Sequence, residues 1–544
     1  MLALTAGSPE WDAERGGRRA PVLFAMAAWL LAAGFLAAGV SFLLLRVCGA
    51  PRRWQPGEPR LVKGWLPFFG VMLDYAKNPL SFLRATQQKY GDIFTCRIAG
   101  KYLTFVTDPF SFSVVMRQGR NLDFHEFAMG FSHRVFGHAD FTTPVYSESY
   151  DKIHSIFTQT LQGLPLEQLS ESMLDNLQTV LGQHLPGERS WKEEGLQSFT
   201  SRIMFEAGYL TMFGRKNRVE AGSTGAVDTC MKKAKQDFFT FDRAFPMMAA
   251  GMPITLCVPA LWAREALAEK LLHGELRQRM SISDLIQLRM NAFDRMHLDE
   301  IGKARTHVCI LWASQANTLP SAFWSLYYTL RCPEALAAAR TEVDKVLQDL
   351  DQPMNDHDMP ISLSKEQLDS MTVLESIIKE ALRLSSASIM IRIANNDFTL
   401  TLDSGKTAAI RKGDYIALYP QLIHMDPDIY PHPMEFRYNR FLDKSGERRS
   451  QFFKNGRQLK NYLMPFGSGA SKCPGRFFAM NEIKQFLTVV LWYYDLHLSD
   501  PDSRLLPDTT RAGLGVLPPK QDVLVRYRAR ADRYRERYTE ERAN

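Results

Sequence analysis

One cysteine, placed after a glycine-punctuated loop and at the start of an apolar helix, limits this chain more than any other feature. The segment is Phe466-Gly-Ser-Gly-Ala-Ser-Lys-Cys473-Pro-Gly475-Arg-Phe-Phe-Ala479. Gly467 and Gly469 let the loop turn tightly and let backbone approach a large flat group. Cys473 is expected to point into the space the loop surrounds. Backbone N–H groups and the helix N-terminus are expected to lower its thiol pKa and hold the anion. That suits a thiolate ligating a metal inside an apolar interior. The alternative is a buried free cysteine in a core.

The other six cysteines, Cys48, Cys96, Cys230, Cys257, Cys309 and Cys332, form no Cys-x-x-Cys pair. Their scatter predicts reduced thiols in a cytosol-facing domain. The net charge of +7 is spread out, and basic residues do not alternate with aromatics along any stripe. This argues against nucleic-acid binding. No repeat, low-complexity linker or composition break divides the chain, which predicts one large domain over 71–527.

Residues 22–45, VLFAMAAWLLAAGFLAAGVSFLLL, carry no charge. As a helix they extend about 36 Å, enough for one bilayer crossing. A cleaved signal peptide or a core helix fits this run less well, because it is too long and lacks a polar face. A tail over 1–21 precedes it. Arg46, Arg52 and Arg53 follow it and favour a cytoplasmic domain, although Arg15, Arg18 and Arg19 blur the asymmetry. Residues 46–70 are basic and proline-rich, which predicts a stiff non-helical hinge. Tyr90 to Thr107 read as a hairpin around Gly100, 150–350 as helical almost throughout, and Leu400 to Leu418 as short strands. One more helix runs from Gly475 to about Trp492, and the last strands lie in 495–527. The tail 528–544 mixes both charge signs.

Three further patterns carry chemistry. Glu380 and Arg383 share a helix face, which by itself reads as an ordinary salt bridge. Arg392 offers a guanidinium fork to a carboxylate, or is an exposed strand arginine. Leu311-Trp-Ala313-Ser-Gln-Ala316-Asn317-Thr318 puts polar residues inside a helical stretch over about 298–330, where Pro320 is expected to kink or break the helix.

The pattern Phe-x-x-Gly-x-x-x-Cys-x-Gly at 466–475 resembles the signature of the haem-thiolate monooxygenases, the cytochrome P-450 superfamily. Glu380 precedes Cys473 by 93 residues, and Phe436-Arg-Tyr-Asn-Arg440-Phe441 lies between them, as in that superfamily. Beyond the motifs, LWASQANT, EALRLSSAS, IALYPQLIHMDPDIYP, MFEAGYLTMFGR and RAGLGVLPP are similar to its sterol 7α-hydroxylase branch. GEPRLVKGWLPFFGV and SKCPGRFFA look more like the members of that branch that act on oxysterols. The resemblance covers nearly everything after about residue 56.

It implies a mainly α fold with small β-sheets and haem b held by the Cys473 thiolate, which favours O–O cleavage. Phe466, Gly469 and Gly475 would shape that site, with Arg392 on a haem propionate. Glu380, Arg383 and Arg440 would form a scaffold network. Ala316 stands where the usual acid is expected and Asn317 where the usual threonine is expected, with Thr318 adjacent, so Asn317 and Thr318 would supply the polar groups there. A sterol pocket is expected from Ala313, Ala316, Ala387, Ser388, Ile389, Leu514 and Val516. Ser471 stands where many members place a basic residue, and no Trp-x-x-x-Arg occurs near 140–165. Lys152, His154 and Lys472 are candidate substitutes for propionate contacts.

The activity implied is 7α-hydroxylation of cholesterol, an entry step to bile acids, with an oxysterol or steroid substrate as the alternative. Electrons from NADPH would arrive through NADPH–cytochrome P-450 reductase, since the chain lacks a nucleotide-binding glycine motif. Lys472, Arg476 and Lys484 are expected to face that partner. Membrane lipid is the other expected partner, with the chain single-pass in the endoplasmic reticulum. Phe245 to Trp262, interrupted by Pro246, Pro253 and Pro259, is expected to form a membrane-dipping surface without being one helix, with a buried loop as its rival. Two rival classes remain: a haem isomerase or dehydratase needing no reductase, and a non-catalytic sterol binder.

Overall fold

The computed structural model describes residues 31, 33–43, 52–64, 68–143, 146–184, 190–216, 224–296, 298–348 and 360–530. Helices dominate, and the sheets are small. Capping residues set several helix starts: Asp299 accepts from Gly302 N, and Ser364 forms a capping box with Gln367. The core lies where helices Thr318–Arg331, Thr372–Ser385 and Arg476–Tyr493 pack together, burying Trp324, Tyr327, Ile377, Phe486 and Leu487. Each such side chain contributes about 1.5–3 kcal/mol of apolar burial.

The main sheet has six strands, in the spatial order Arg60–Val62, Ile93–Ile98, Lys101–Val106, Tyr415–Leu418, Met390–Ala394 and Leu122–Asp123. Ala99 and Gly100, both at positive φ, make the two-residue turn of the hairpin expected at Tyr90–Thr107. The final strand, Leu524–Ala529, pairs with Tyr494–Leu498 and Lys192–Gly195 and so runs two residues into the expected tail.

Two proline expectations need correction. The break near residue 317 falls between helices Glu300–Gln315 and Thr318–Arg331, and Pro320 sits in the first turn of the second, where a missing N–H costs nothing. Phe245 to Trp262 is not one helix, as expected, but its first proline makes no break: Pro246 lies inside helix Thr224–Ala249. It cannot donate to Asp242 O, and Arg511 Nη1 donates to that oxygen instead, at 2.8 Å. The chain then turns through a short 3₁₀ segment, Ile254–Leu256, into helix Val258–Lys270, leaving Met247, Met252, Leu256, Val258 and Trp262 exposed. Met248 is buried and belongs to the core.

Of the expected membrane span, residues 31 and 33–43 are described; they are helical and exposed. Among the described residues, no helix is long and apolar enough to cross a membrane. The rest of that span, the tail over 1–21 and residues 531–544 lie outside the described residues. In the hinge, Arg52 makes a two-pronged pair with Asp414 at 2.7 and 2.6 Å and lies over the Tyr102 ring. Arg411 pairs with Glu58. These contacts fix the hinge at Arg52 and Glu58 against residues 411–414, which lead into strand Tyr415–Leu418 of the main sheet.

Candidate active site

The cysteine loop closes on itself: Cys473 N donates to Phe466 O at 2.9 Å. Gly467 and Gly469 have φ of +70° and +68°, and a Cβ at 469 would sit 3.3 Å from Met116 Cβ. Gly475 has an ordinary φ, and its lack of a side chain leaves space beside Cys473 Sγ. Phe466 and Cys473 are half-buried. Burial pushes the Cys473 thiol up, against the downward pull of the Gly475 N–H and of Arg476. The expectation that the loop alone lowers this pKa is therefore corrected: desolvation outweighs the N–H groups. A thiolate here needs a cation beside it. Among the described residues no group of three or more His, Cys, Asp or Glu is placed to hold a metal ion. Iron in a macrocycle, which brings most of its ligands with it, fits a site that offers one thiolate.

Behind the loop, Glu380 accepts from Arg383 Nε and Nη2 at 2.7 and 2.8 Å and from Arg440 Nε at 2.7 Å. Arg383 Nη1 also donates to His424 O and Pro433 O, both at 2.7 Å, and Arg440 Nη1 donates to Pro431 O at 2.8 Å. His432, at φ +52°, turns the chain so that these neighbouring carbonyls face both guanidiniums. All three charged side chains are buried. His424 Nε2 accepts from Met464 N at 3.0 Å, joining the network to the approach to the cysteine loop.

Arg392, on strand Met390–Ala394, is 8% exposed and has no carboxylate in ion-pair reach among the described residues. It donates to Ile391 O, Met116 Sδ and Ser471 Oγ and lies 4.8 Å over the Phe124 ring. Ser471 thus receives Arg392 where a basic residue was expected. A buried guanidinium that feels the Asp123 charge only from beyond ion-pair reach fits a ligand carboxylate. Lys152, His154 and Lys472 are exposed.

Lys484 does not face outward as expected. Its Nζ donates to Leu368 O at 2.7 Å and to Glu375 at 3.0 Å, so it is buried and paired. It ties the cysteine helix to the start of helix Thr372–Ser385. Arg476 is half-buried and donates to Cys473 O at 3.0 Å.

On the other side, Asn317 lies at the helix break, and its Oδ1 accepts from Val516 N at 2.9 Å. Thr318 turns elsewhere: its Oγ1 donates to Glu482 Oε1 at 2.9 Å, on the cysteine helix, and both residues are buried. Burial pushes the Glu482 carboxyl up to about 8, against the Thr318 bond. Glu482 was not anticipated from sequence, although an acid inside the apolar run Phe478–Leu491 was a visible signal. Segments 385–389 and 513–517 pair through Ala387 N to Gly515 O at 2.8 Å and Ile389 N to Gly513 O at 3.2 Å. That pairing brings Ala387, Ser388, Ile389, Leu514 and Val516 together beside Asn317. Ser386 and Ser388 keep buried hydroxyls without partners. Ala313 is exposed in mid-helix, between the buried Leu311 and Gln315, so open space lies beside it. Ala316 lines a small cleft with Leu319, Pro320, Phe323 and Phe239, bordered by Asp242 and Arg511.

The family model for cytochrome P450 matches residues 59–525. The chain is similar to Cytochrome P450 7A1 of Oryctolagus cuniculus, 48% identical over 479 residues that cover 88% of this chain and 94% of that protein. It is 46% identical over 482 residues to a Cricetulus griseus protein named Cholesterol 7-alpha-monooxygenase, covering 88% of this chain and 94% of that protein. To Cytochrome P450 7B1 of Mus musculus it is 37% identical over 503 residues, 92% and 96% of the two chains.

Proposed function

The chain belongs to the cytochrome P450 family, and we propose that it is a haem-thiolate monooxygenase that hydroxylates cholesterol at the 7α carbon. The observation that carries the cofactor reading is a cysteine in a closed loop near a buried Arg392 that makes no ion pair among the described residues. Likeness to the Cricetulus griseus enzyme named above supports the substrate. Haem b, when bound, supplies the activation of O2.

The protein supplies position and water control. Cys473 would hold the iron, with Phe466, Gly469 and Gly475 shaping the loop around it. Arg392 would take a haem carboxylate. Glu380, Arg383 and Arg440 fix the backbone behind the loop and touch no reactant. Asn317 would offer a hydrogen bond beside the reacting carbon. Thr318 is bonded away to Glu482, so its part would be indirect. A sterol is a rigid apolar slab with one hydroxyl. Ala313, Ala316, Ala387, Ile389, Leu514 and Val516 would enclose the slab, and Ser388 offers an unpartnered hydroxyl.

Residues 71–527 would form the catalytic domain. Residues 22–45 would anchor it in the endoplasmic reticulum membrane with the domain in the cytosol. Met247, Leu256 and Trp262 would rest on lipid. Lys472 and Arg476 would meet NADPH–cytochrome P-450 reductase. The experiment is product analysis after incubation of the full chain with cholesterol, reductase and NADPH. The expected product is 7α-hydroxycholesterol, dependent on both electron sources. Product only from a side-chain oxysterol moves the substrate, and a rearranged or dehydrated sterol with no added oxygen, formed without reductase, replaces the monooxygenase reading with an isomerase or dehydratase.

A further inference from the structure

The segment 511–517 is pinned along its length. Arg511 pairs with Asp242 at 2.7 Å. Gly513 N and Gly515 O bond the two sides of Ala387, at 2.6 and 2.8 Å. Leu517 N donates to Ser385 O at 2.9 Å, and Leu517 O accepts from Trp324 Nε1 at 2.7 Å. A segment held at so many points cannot shift to relieve a local clash. The Asn317 backbone is held too, since its carbonyl accepts from Ser321 N at 3.1 Å and Ser321 Oγ at 2.6 Å. Between these two fixed backbones lies one side chain. Val516 N–H can only donate, so the Asn317 carboxamide must turn its oxygen toward it, and the amide orientation is not free to flip. That leaves Nδ2 as the side chain's one uncommitted polar atom. Gly515, at φ +138°, is what makes room: a Cβ there would fall 2.1 Å from Asn317 Oδ1.

We propose that Gly515 is a positioning residue for oxygen insertion. Its missing side chain lets Asn317 dock Oδ1 on Val516 and present Nδ2 as a hydrogen-bond donor in one fixed orientation. With Oδ1 committed as an acceptor to Val516, Asn317 offers the reacting side a donor only and carries no proton to it. This rests on the monooxygenase reading above. In that reaction one sterol, one O2, one NADPH and one proton yield one hydroxylated sterol, one water and one NADP+. Electrons that miss the sterol leave with two protons and O2 as hydrogen peroxide. A misplaced donor should change the ratio of product to NADPH consumed rather than stop NADPH consumption.

The test uses the full chain as G515A, N317A and the double variant, with two readouts. Product per NADPH should fall several-fold in G515A, to the level of N317A, and the double variant should fall no further. An unchanged ratio in G515A, or a double variant that multiplies the two losses, overturns the proposal. The melting temperature should drop more when G515A is added to the native chain than when it is added to N317A, since the strain of a positive φ is common to both backgrounds and cancels. Equal drops overturn it. If G515A does not fold, recovery of folding in the double variant supports the proposal, and failure of both contradicts it. N317D keeps an acceptor for Val516 N–H and should melt nearer the native chain than N317A; the reverse order contradicts the pin. The melting comparison reads the pin even if the chain proves not to hydroxylate cholesterol.

Discussion

The two sides of this site are held in different ways. Behind the cysteine loop, Glu380, Arg383 and Arg440 share short bonds with one another and with a run of carbonyls from Pro431 to Pro433, all out of water. At the helix break, a single carboxamide meets a single backbone N–H, and a glycine leaves the space. Ser386 and Ser388 nearby keep unpartnered hydroxyls. The first arrangement is over-determined, so losing a member leaves a buried charge exposed to its own desolvation cost. The second rests on one bond, so losing it costs little fold and much orientation. A scaffold can afford neither movement nor vacancy, whereas a substrate wall needs polar groups still open to a ligand.

The comparison breaks most visibly at Arg383. R383A strands Glu380 without its two-pronged partner and should cost about 3–5 kcal/mol in urea unfolding, with Lys a poor substitute because it lacks the fork. N317A should cost only about 1 kcal/mol in the same assay. Equal costs would erase the distinction between the two sides.

Glu482 belongs to neither side, since it links the cysteine helix to Thr318 beside the break. Its folded pKa, about 8, lies above the ordinary value of 4.5. Stability from the neutral form is therefore complete below pH 4.5 and declines as pH rises toward 8. E482Q keeps the shape without the charge, and should gain roughly 3 kcal/mol at pH 7 and nothing at pH 4. Unfolding curves at the two pH values check this.

On the scaffold side, burial and the Arg383 charge push His424 down to about 3; apart from that network, beside Ser132 and Phe141, burial pushes His138 down to about 4. Both are neutral when folded. Their contribution is complete above pH 6.5 and lost as pH falls toward those values, by about 2 kcal/mol for each at pH 5. Urea midpoints measured from pH 7 to pH 5 should fall accordingly, and a flat profile would contradict it. The smallest effect on folding should come at the surface: L256D and W262D should leave the unfolding free energy in urea within about 0.5 kcal/mol of native while weakening vesicle binding.

Local patterns made the helices, the hairpin turn at Ala99–Gly100 and the loop of Cys473 legible in the sequence, because residues close along the chain specify each. Glu380 and Arg383 could be placed on one helix face, but only resemblance added Arg440. What stayed hidden depends on partners far apart. Lys484 is buried because Leu368 O and Glu375 wait for it more than a hundred residues earlier. Thr318 finds Glu482, and Asn317 finds Val516, across similar gaps. The Pro246 error has the same origin, since Arg511 supplies the bond that the proline cannot. Periodicity describes a helix face; it does not say what covers that face.

The account depends most on the sulfur of Cys473. The direct measurement is the carbon monoxide difference spectrum of the reduced chain, taken beside that of C473A. The red-shifted thiolate band should be present in the native chain and lost in the variant. A native chain without that band, or a variant that keeps it, would contradict the assignment.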